Sequence, residues 1–177
     1  MHSGLKLVSL RECGLDNFQQ LLYSIIEELH ANSPWIQTLK APYSLTRLSE
    51  ILFDRCSYCP AVIDSSSDVI ALGAGRHDGG LGLIHWLGVR SDFRGMGLGS
   101  ELLYSMENFF VENNCHGVEL RTLQDRNSLQ PFYEKRGFQT VAILPNYRFG
   151  VNAIHLIKNF EENAQYLQGG ITMNGAG

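Results

Sequence analysis

Arg94, Gly95, Gly97 and Gly99 fall within six residues of "VRSDFRGMGLGSEL", residues 89–102, directly ahead of an apolar-periodic segment. The first turn of a helix presents unpaired amide N–H groups and the positive end of the helix dipole, which makes it a ready anion site. Glycines let a phosphate approach the backbone with no Cβ in the way, and an arginine adds a charge-assisted fork. The stretch is therefore built like a pyrophosphate cradle, although the same spacing also serves a tight turn that holds no ligand. A Walker loop needs a Lys-Ser/Thr pair after its second glycine, and none is present. A dinucleotide fingerprint counted from Gly95 needs a small residue at Ser100 and an acidic residue closing the next strand, but that strand reads "GVELRTL".

Cys56 and Cys59 form a CxxC pair in "CSYC". No second pair at zinc-finger spacing follows, and Pro60 with the apolar "AVI" stands where a redox motif would open a helix. The spacing fits two thiols between the end of a helix and the start of a strand.

The elements that must position these residues show in the periodicity. "LKLVSL" alternates like a strand, and Leu15, Phe18, Leu22, Ile25, Ile26 and Leu29 recur at helical spacing. A connection containing Pro34, Trp35, Pro42 and Tyr43 leads to a second helical segment, with Leu45, Leu48, Ile51 and Leu52 on one face. "PAVID", "VIALGAGRH" and "LGLIHWLGV", separated by "SSSD" and "DGG", predict an antiparallel meander. After the glycines, Leu98, Leu102, Leu103, Met106, Phe109 and Phe110 mark a helix, followed by the strand "GVELRTL". A short helix around "PFYEKRG" is expected to stop at Gly137, with Ser128 as N-cap and Pro131 at its third position. Two final strands, "FQTVAIL" and "VNAIHLI", flank an expected turn "PNYRFG".

Composition bounds the whole. A chain of 177 residues with 44% hydrophobic content suits one domain, expected over residues 1–160, with a flexible tail over 161–177. A net charge of −4, from 14 Lys+Arg against 18 Asp+Glu, lacks the basic field that nucleic-acid binding requires, so no nucleic-acid partner is expected. No segment reaches the roughly 18 apolar residues of a membrane helix, and "MHSGLKLVSLREC" is too weakly apolar for a secretory signal. A cytoplasmic protein with free thiols, no membrane partner and no metal is expected.

Some thirty residues beyond the glycines stands "NSLQPFYEKRGF". Together with "LGVRSDFRGMGLGSELL" it resembles the GNAT superfamily of N-acetyltransferases, whose signature Arg/Gln-x-x-Gly-x-Gly/Ala is matched by Arg94, Gly97 and Gly99. A tyrosine on the following short helix is matched by Tyr133, and the element order agrees from Leu5 to Lys158. The resemblance implies an α/β fold: a mixed, largely antiparallel twisted sheet of about seven strands with helices on both faces.

It further implies acetyl-CoA as cofactor, released as coenzyme A. Gly95, Met96, Gly97, Leu98, Gly99 and Ser100 would hold the pyrophosphate with Arg94, and the pantetheine arm would lie along Leu87, Gly88 and Val89. An N–H among those strand residues would meet the developing oxyanion, and Tyr133 would protonate the departing thiolate. The family often carries an asparagine seven residues before this tyrosine. Here that position is Arg126, and Asn127, one step late, is carried over as a coenzyme A contact or as a residue that only shapes the turn.

The attacking amine must be neutral, and alkyl amines have pKa values near 10, so a base or a water chain is needed. His85 titrates in a useful range, but Leu81, Leu83, Leu87 and Val89 share its face by alternation, which favours a satisfied core histidine. Glu119 is a second candidate base. Glu27, Glu28, Glu50 and Asp54 offer to draw in a cationic amine or simply form a solvated face, and Trp35, Tyr43, Tyr147 and Phe149 offer to line an acceptor cleft. The expected function is acetyl transfer to the primary amine of a small molecule by direct attack in a ternary complex. Alternatives are acetylation of a protein N-terminus or lysine, or an acyl-CoA-sensing module without turnover. A small-molecule or peptide amine is the expected acceptor, and a homodimer is compatible with the reading.

Overall fold

A computed structural model describes residues 4–30, 34–124, 129–148 and 150–160, the Arg148 side chain excepted. Strand β1 (Lys6–Ser9) runs into helix α1 (Leu10–Cys13), which begins at the last residue of the expected strand. Glu12 explains the early start, because its carboxylate accepts the Ser9 backbone N–H at 2.8 Å and so caps the turn. Helices α2 (Leu15–His30), α3 (Ile36–Lys40) and α4 (Leu45–Ile51) follow, then strands β2 (Ser57–Tyr58), β3 (Pro60–Ile63), β4 (Val69–Asp78) and β5 (Leu81–Val89). Helix α5 (Leu98–Glu112), strand β6 (Gly117–Leu123), helix α6 (Leu129–Glu134) and strands β7 (Gln139–Arg148) and β8 (Val151–Asn159) complete the order.

The sheet has eight strands in the order β1-β3-β4-β5-β6-β8-β7, with the two-residue β2 added beside β4. All pairings are antiparallel except β5 with β6. β4 is buried without a break from Val69 to Gly75, because helices cover it on both sides; hence the unalternating run "VIALGAG". On one face α2 buries Phe18, Leu22 and Ile26 against Leu72 and Ala74. On the other, α5 buries Leu98, Leu102, Met106 and Phe110. Each such side chain contributes about 1.5–3 kcal/mol of hydrophobic stabilisation.

Two local departures from simple alternation matter. Between β4 and β5 the register passes from Gly75 opposite Ile84 to Ala74 opposite Trp86, so His85 is an extra residue in a β-bulge. The bulge flips the side-chain parity: Ile84 and Leu87 pack with the α5 cluster, while Trp86 packs with the α2 cluster. His85 is therefore exposed rather than a core histidine, and Leu87 and Val89 are not its face-mates by simple counting. The last hairpin also differs from expectation, because "PNYR" stays in β7, whose pairing ends at Arg148 opposite Val151. Asn146 absorbs an irregularity with φ of 50° and donates its N–H to Asn152 Oδ1 at 3.1 Å. Pro145 is tolerated because β7 is an edge strand.

Candidate active site

The parallel ladder between β5 and β6 holds only from Leu81–Gly117 to Ile84–Leu120. At the His85 bulge the strands part, and β5 keeps only its β4 partner from there to Val89. Arg90 donates its N–H to Ile70 O at 2.9 Å on the β4 side. Antiparallel alternation then turns the N–H groups of Leu87 and Val89 toward the gap. Val89's carbonyl accepts Arg94 Nε at 3.1 Å on that side.

At the end of β5 the chain makes a short 3-10 turn (Ser91–Phe93) and enters α5 through Gly95 and Gly97, with φ of 80° and 83°. Only glycine adopts these angles without strain, and a Cβ at either position would meet nothing within 4 Å. The backbone there is thus open to an approaching group, next to the first turn of α5, where the Ser100 N–H goes to Gly97 O at 2.9 Å. At Gly99 a Cβ would sit 3.5 Å from Phe132, an ordinary contact, in keeping with Gly or Ala at this motif position.

Two clefts meet at this gap. One, of about 860 Å³, is lined by Leu87, Gly88 and Val89, by Arg94, Gly95 and the first turn of α5, and by Phe132, Tyr133 and Arg136. The other, of about 280 Å³, is lined by His30, Tyr43, His85, Trp86, Arg121 and Tyr147, with apolar neighbours. Tyr133, Leu87, Leu129 and Leu29 line both. The larger cleft fits coenzyme A on the structure's own terms: open glycine backbone and helix-terminal amides for a pyrophosphate, then an unpaired strand edge for an amide-bearing arm.

Tyr133 is held edge-on between Phe132 and Phe138, with ring centroids 5.0 and 5.5 Å away. Burial raises its phenol well above the ordinary value, with Arg136 opposing, so the hydroxyl keeps its proton. Arg136, which the sequence alone did not single out, stacks 3.8 Å over Phe132 and donates to Ser100 Oγ and, at 2.6 Å, to Phe132 O. Its signal was only that it lies within "EKRGF". It pins α6 to the start of α5. Arg94 forms a two-pronged ion pair with Glu28 of α2, both contacts at 2.7 Å, at the mouth of the larger cleft.

The other expected residues fall as follows. Met96 is exposed and Leu98 is buried under the cleft, so Leu98 offers only its backbone. Asn127, Ser128 and Phe149 lie outside the described residues. Glu119 does not line the smaller cleft; its carboxylate takes His155 Nε2 at 2.9 Å and Arg121 at 3.4 Å. Glu27 pairs with Lys40, Glu50 with Arg47, and Asp54 accepts Ser57 Oγ and Cys56 N, so these carboxylates are committed away from the cleft. Tyr43 and Tyr147 line the cleft, whereas Trp35 does not. Cys56 and Cys59 flank β2, and burial pushes the Cys59 thiol up to about 12, which suits packing rather than reaction. Among the described residues no helix is long and apolar enough to cross a membrane.

An acetyltransferase of Pectobacterium atrosepticum is 29% identical over 80 residues, 45% of this chain and 57% of that protein, so the match spans little more than half its length. A protein of Methanocaldococcus jannaschii described as an uncharacterized N-acetyltransferase is 29% identical over 126 residues, 69% of this chain and 79% of that one. The crystal structure of PaiA N-acetyltransferase from Thermoplasma acidophilum in complex with coenzyme A superposes with a TM-score of 0.73 over 88% of this chain and 99% of that one, at 13% identity, which speaks for the fold. The sequence pattern of the acetyltransferase (GNAT) family matches residues 22–138, most of the chain, and the chain belongs to that family.

Proposed function

We propose that the chain transfers acetyl from acetyl-CoA to the primary amine of a small molecule, by direct attack with both substrates bound. The observation that carries this reading is the meeting of the two clefts at Tyr133. Acetyl-CoA supplies the activated thioester when bound. The amides from Gly95 to Ser100 hold its phosphates with Arg94, and the Leu87 and Val89 edge aligns its arm. The same N–H groups would stabilise the charge that develops on the carbonyl oxygen. The protonated phenol of Tyr133 gives its proton to the leaving sulfur. His85, on the bulge beside the gap, takes the amine's proton directly or through water. The acceptor cleft of about 280 Å³ favours a small molecule over an extended peptide.

Calorimetric titration with acetyl-CoA on the native chain, Gly97→Ala and Gly97→Glu tests the cradle. Gly97→Ala carries the backbone strain alone, a cost of about 1 kcal/mol. Gly97→Glu adds a negative side chain aimed at the phosphates and is expected to abolish binding while circular dichroism stays native. Equal binding by both variants would sink the cradle. Acetyl-CoA-dependent thiol release across an amine panel then tests transfer.

A further inference from the structure

Arg121 brings a permanent positive charge to the acceptor cleft, and among the described residues no Asp or Glu side chain lines that cleft. The residue stands on β6 one position past Leu120, the last to pair with β5, so the parting of the strands exposes it to the gap. Its guanidinium is held in place: Nη1 donates to the Tyr147 hydroxyl at 3.1 Å and the charge lies 5.7 Å from that ring's centroid. Glu119, the nearest counter-charge, takes Nη2 at a long 3.4 Å and spends its other oxygen on His155 at 2.9 Å. A guanidinium has five N–H donors, so two such contacts leave capacity for an incoming anion. Two imidazoles, His30 and His85, line the same cleft. The remaining wall is largely aliphatic and aromatic, with Tyr43 set edge-on to Trp86 at 6.0 Å beside Leu39 and Leu123.

We infer that the acceptor is an amino-acid-like amine: a primary amine carrying a carboxylate that Arg121 binds, on an aromatic or apolar body that Tyr43 and Trp86 contact. The inference rests on the acetyl-transfer reading and narrows it. A polyamine would set its additional positive charges against Arg121, and a decarboxylated amine would leave Arg121 without its anion. A charge-assisted contact of this kind is worth at least about tenfold in affinity.

The test uses matched probes that differ only by the carboxylate, tyrosine against tyramine and phenylalanine against phenethylamine, titrated calorimetrically into protein saturated with coenzyme A. Native protein is expected to bind each amino acid at least about tenfold tighter than its decarboxylated partner. Arg121→Met should bring each pair to near equality, and Arg121→Lys should keep part of the preference, which guards against loss of the fold. Equal affinities in the native protein, tighter tyramine, or no binding of any probe would overturn the inference. Coenzyme A binding and thiol release are read separately. Turnover of tyramine without a carboxylate preference removes the acceptor class and leaves acetyl transfer standing, whereas absence of coenzyme A binding takes both down.

Discussion

Tyr133 is only 7% exposed, and a phenol so buried is stable in its protonated form past pH 10, where an ordinary tyrosine has half lost its proton. The sign follows: raising pH toward 10 removes no acid from the site through this group, so kcat should show no alkaline fall there on its account. Tyr133→Phe should lower kcat about 10²-fold and leave acetyl-CoA affinity within about threefold, read by steady-state kinetics beside calorimetry. An unchanged kcat would assign the proton to water. Glu28 poses the opposite case, a carboxylate near a phosphate cradle. Its pair with Arg94 is about half exposed on both sides and so worth at most about 1 kcal/mol, which a dianionic phosphate easily outbids. Glu28→Gln frees Arg94 and removes a repelling charge, so acetyl-CoA should bind a few-fold tighter at low salt, the gain shrinking as salt rises. No change would mean that Arg94 does not reach the phosphates.

At the scale of elements, α2 lines the larger cleft with Ile25 and Leu29 and packs tightly on β5 at Gly88. A Cβ on Gly88 would lie 2.5 Å from Ile25 Cδ1. Gly88→Ala should therefore push α2 away, costing about 1–3 kcal/mol and loosening acetyl-CoA binding. Ile25→Val deletes the clashing atom, so the double variant should recover most of both losses; simple additivity in denaturant melts would mean that the two do not touch. Much at this scale was legible in the sequence, because β4, β5, β6, α2 and α5 each repeat a buried pattern over many residues. Residue-level arrangements that arise only from chain crossing were not. Alternation placed His85 in the core, since nothing local announces a bulge that shows only in the pairing across the sheet, where the register shifts between Ala74 and Gly75. "PN" reads as a turn, yet an edge strand tolerates its proline and Asn146 takes the positive φ. The cradle glycines were visible as local backbone chemistry. Arg136 and Arg121 were not, and Glu28 was read as an acceptor-side charge rather than as the partner of Arg94, because each acquires its meaning from a partner on another element.

On the scale of the whole molecule, the β5–β6 ladder joins the two parts of the sheet over only four residue pairs, and the gap beyond it is where both clefts meet. A ligand arm lying along Leu87 and Val89 would bond an edge that has no strand partner among the described residues and tie β5 to the α5 and α6 sides at once. Binding to the native state alone stabilises by mass action, about 2.7 kcal/mol at 100 times Kd. For a chain of 177 residues each kcal/mol moves Tm by about 2–4 °C, so acetyl-CoA at that level should raise Tm by roughly 5–11 °C. The distribution of the gain is the sharper test. Hydrogen exchange should slow at the Leu87 and Val89 amides, which face the gap, and change little at Gly88, whose amide faces β4. Protection confined to the glycine turn, with none at Leu87 or Val89, would mean that the phosphates bind while the arm lies elsewhere, and the acetyl group would then never reach the phenol of Tyr133.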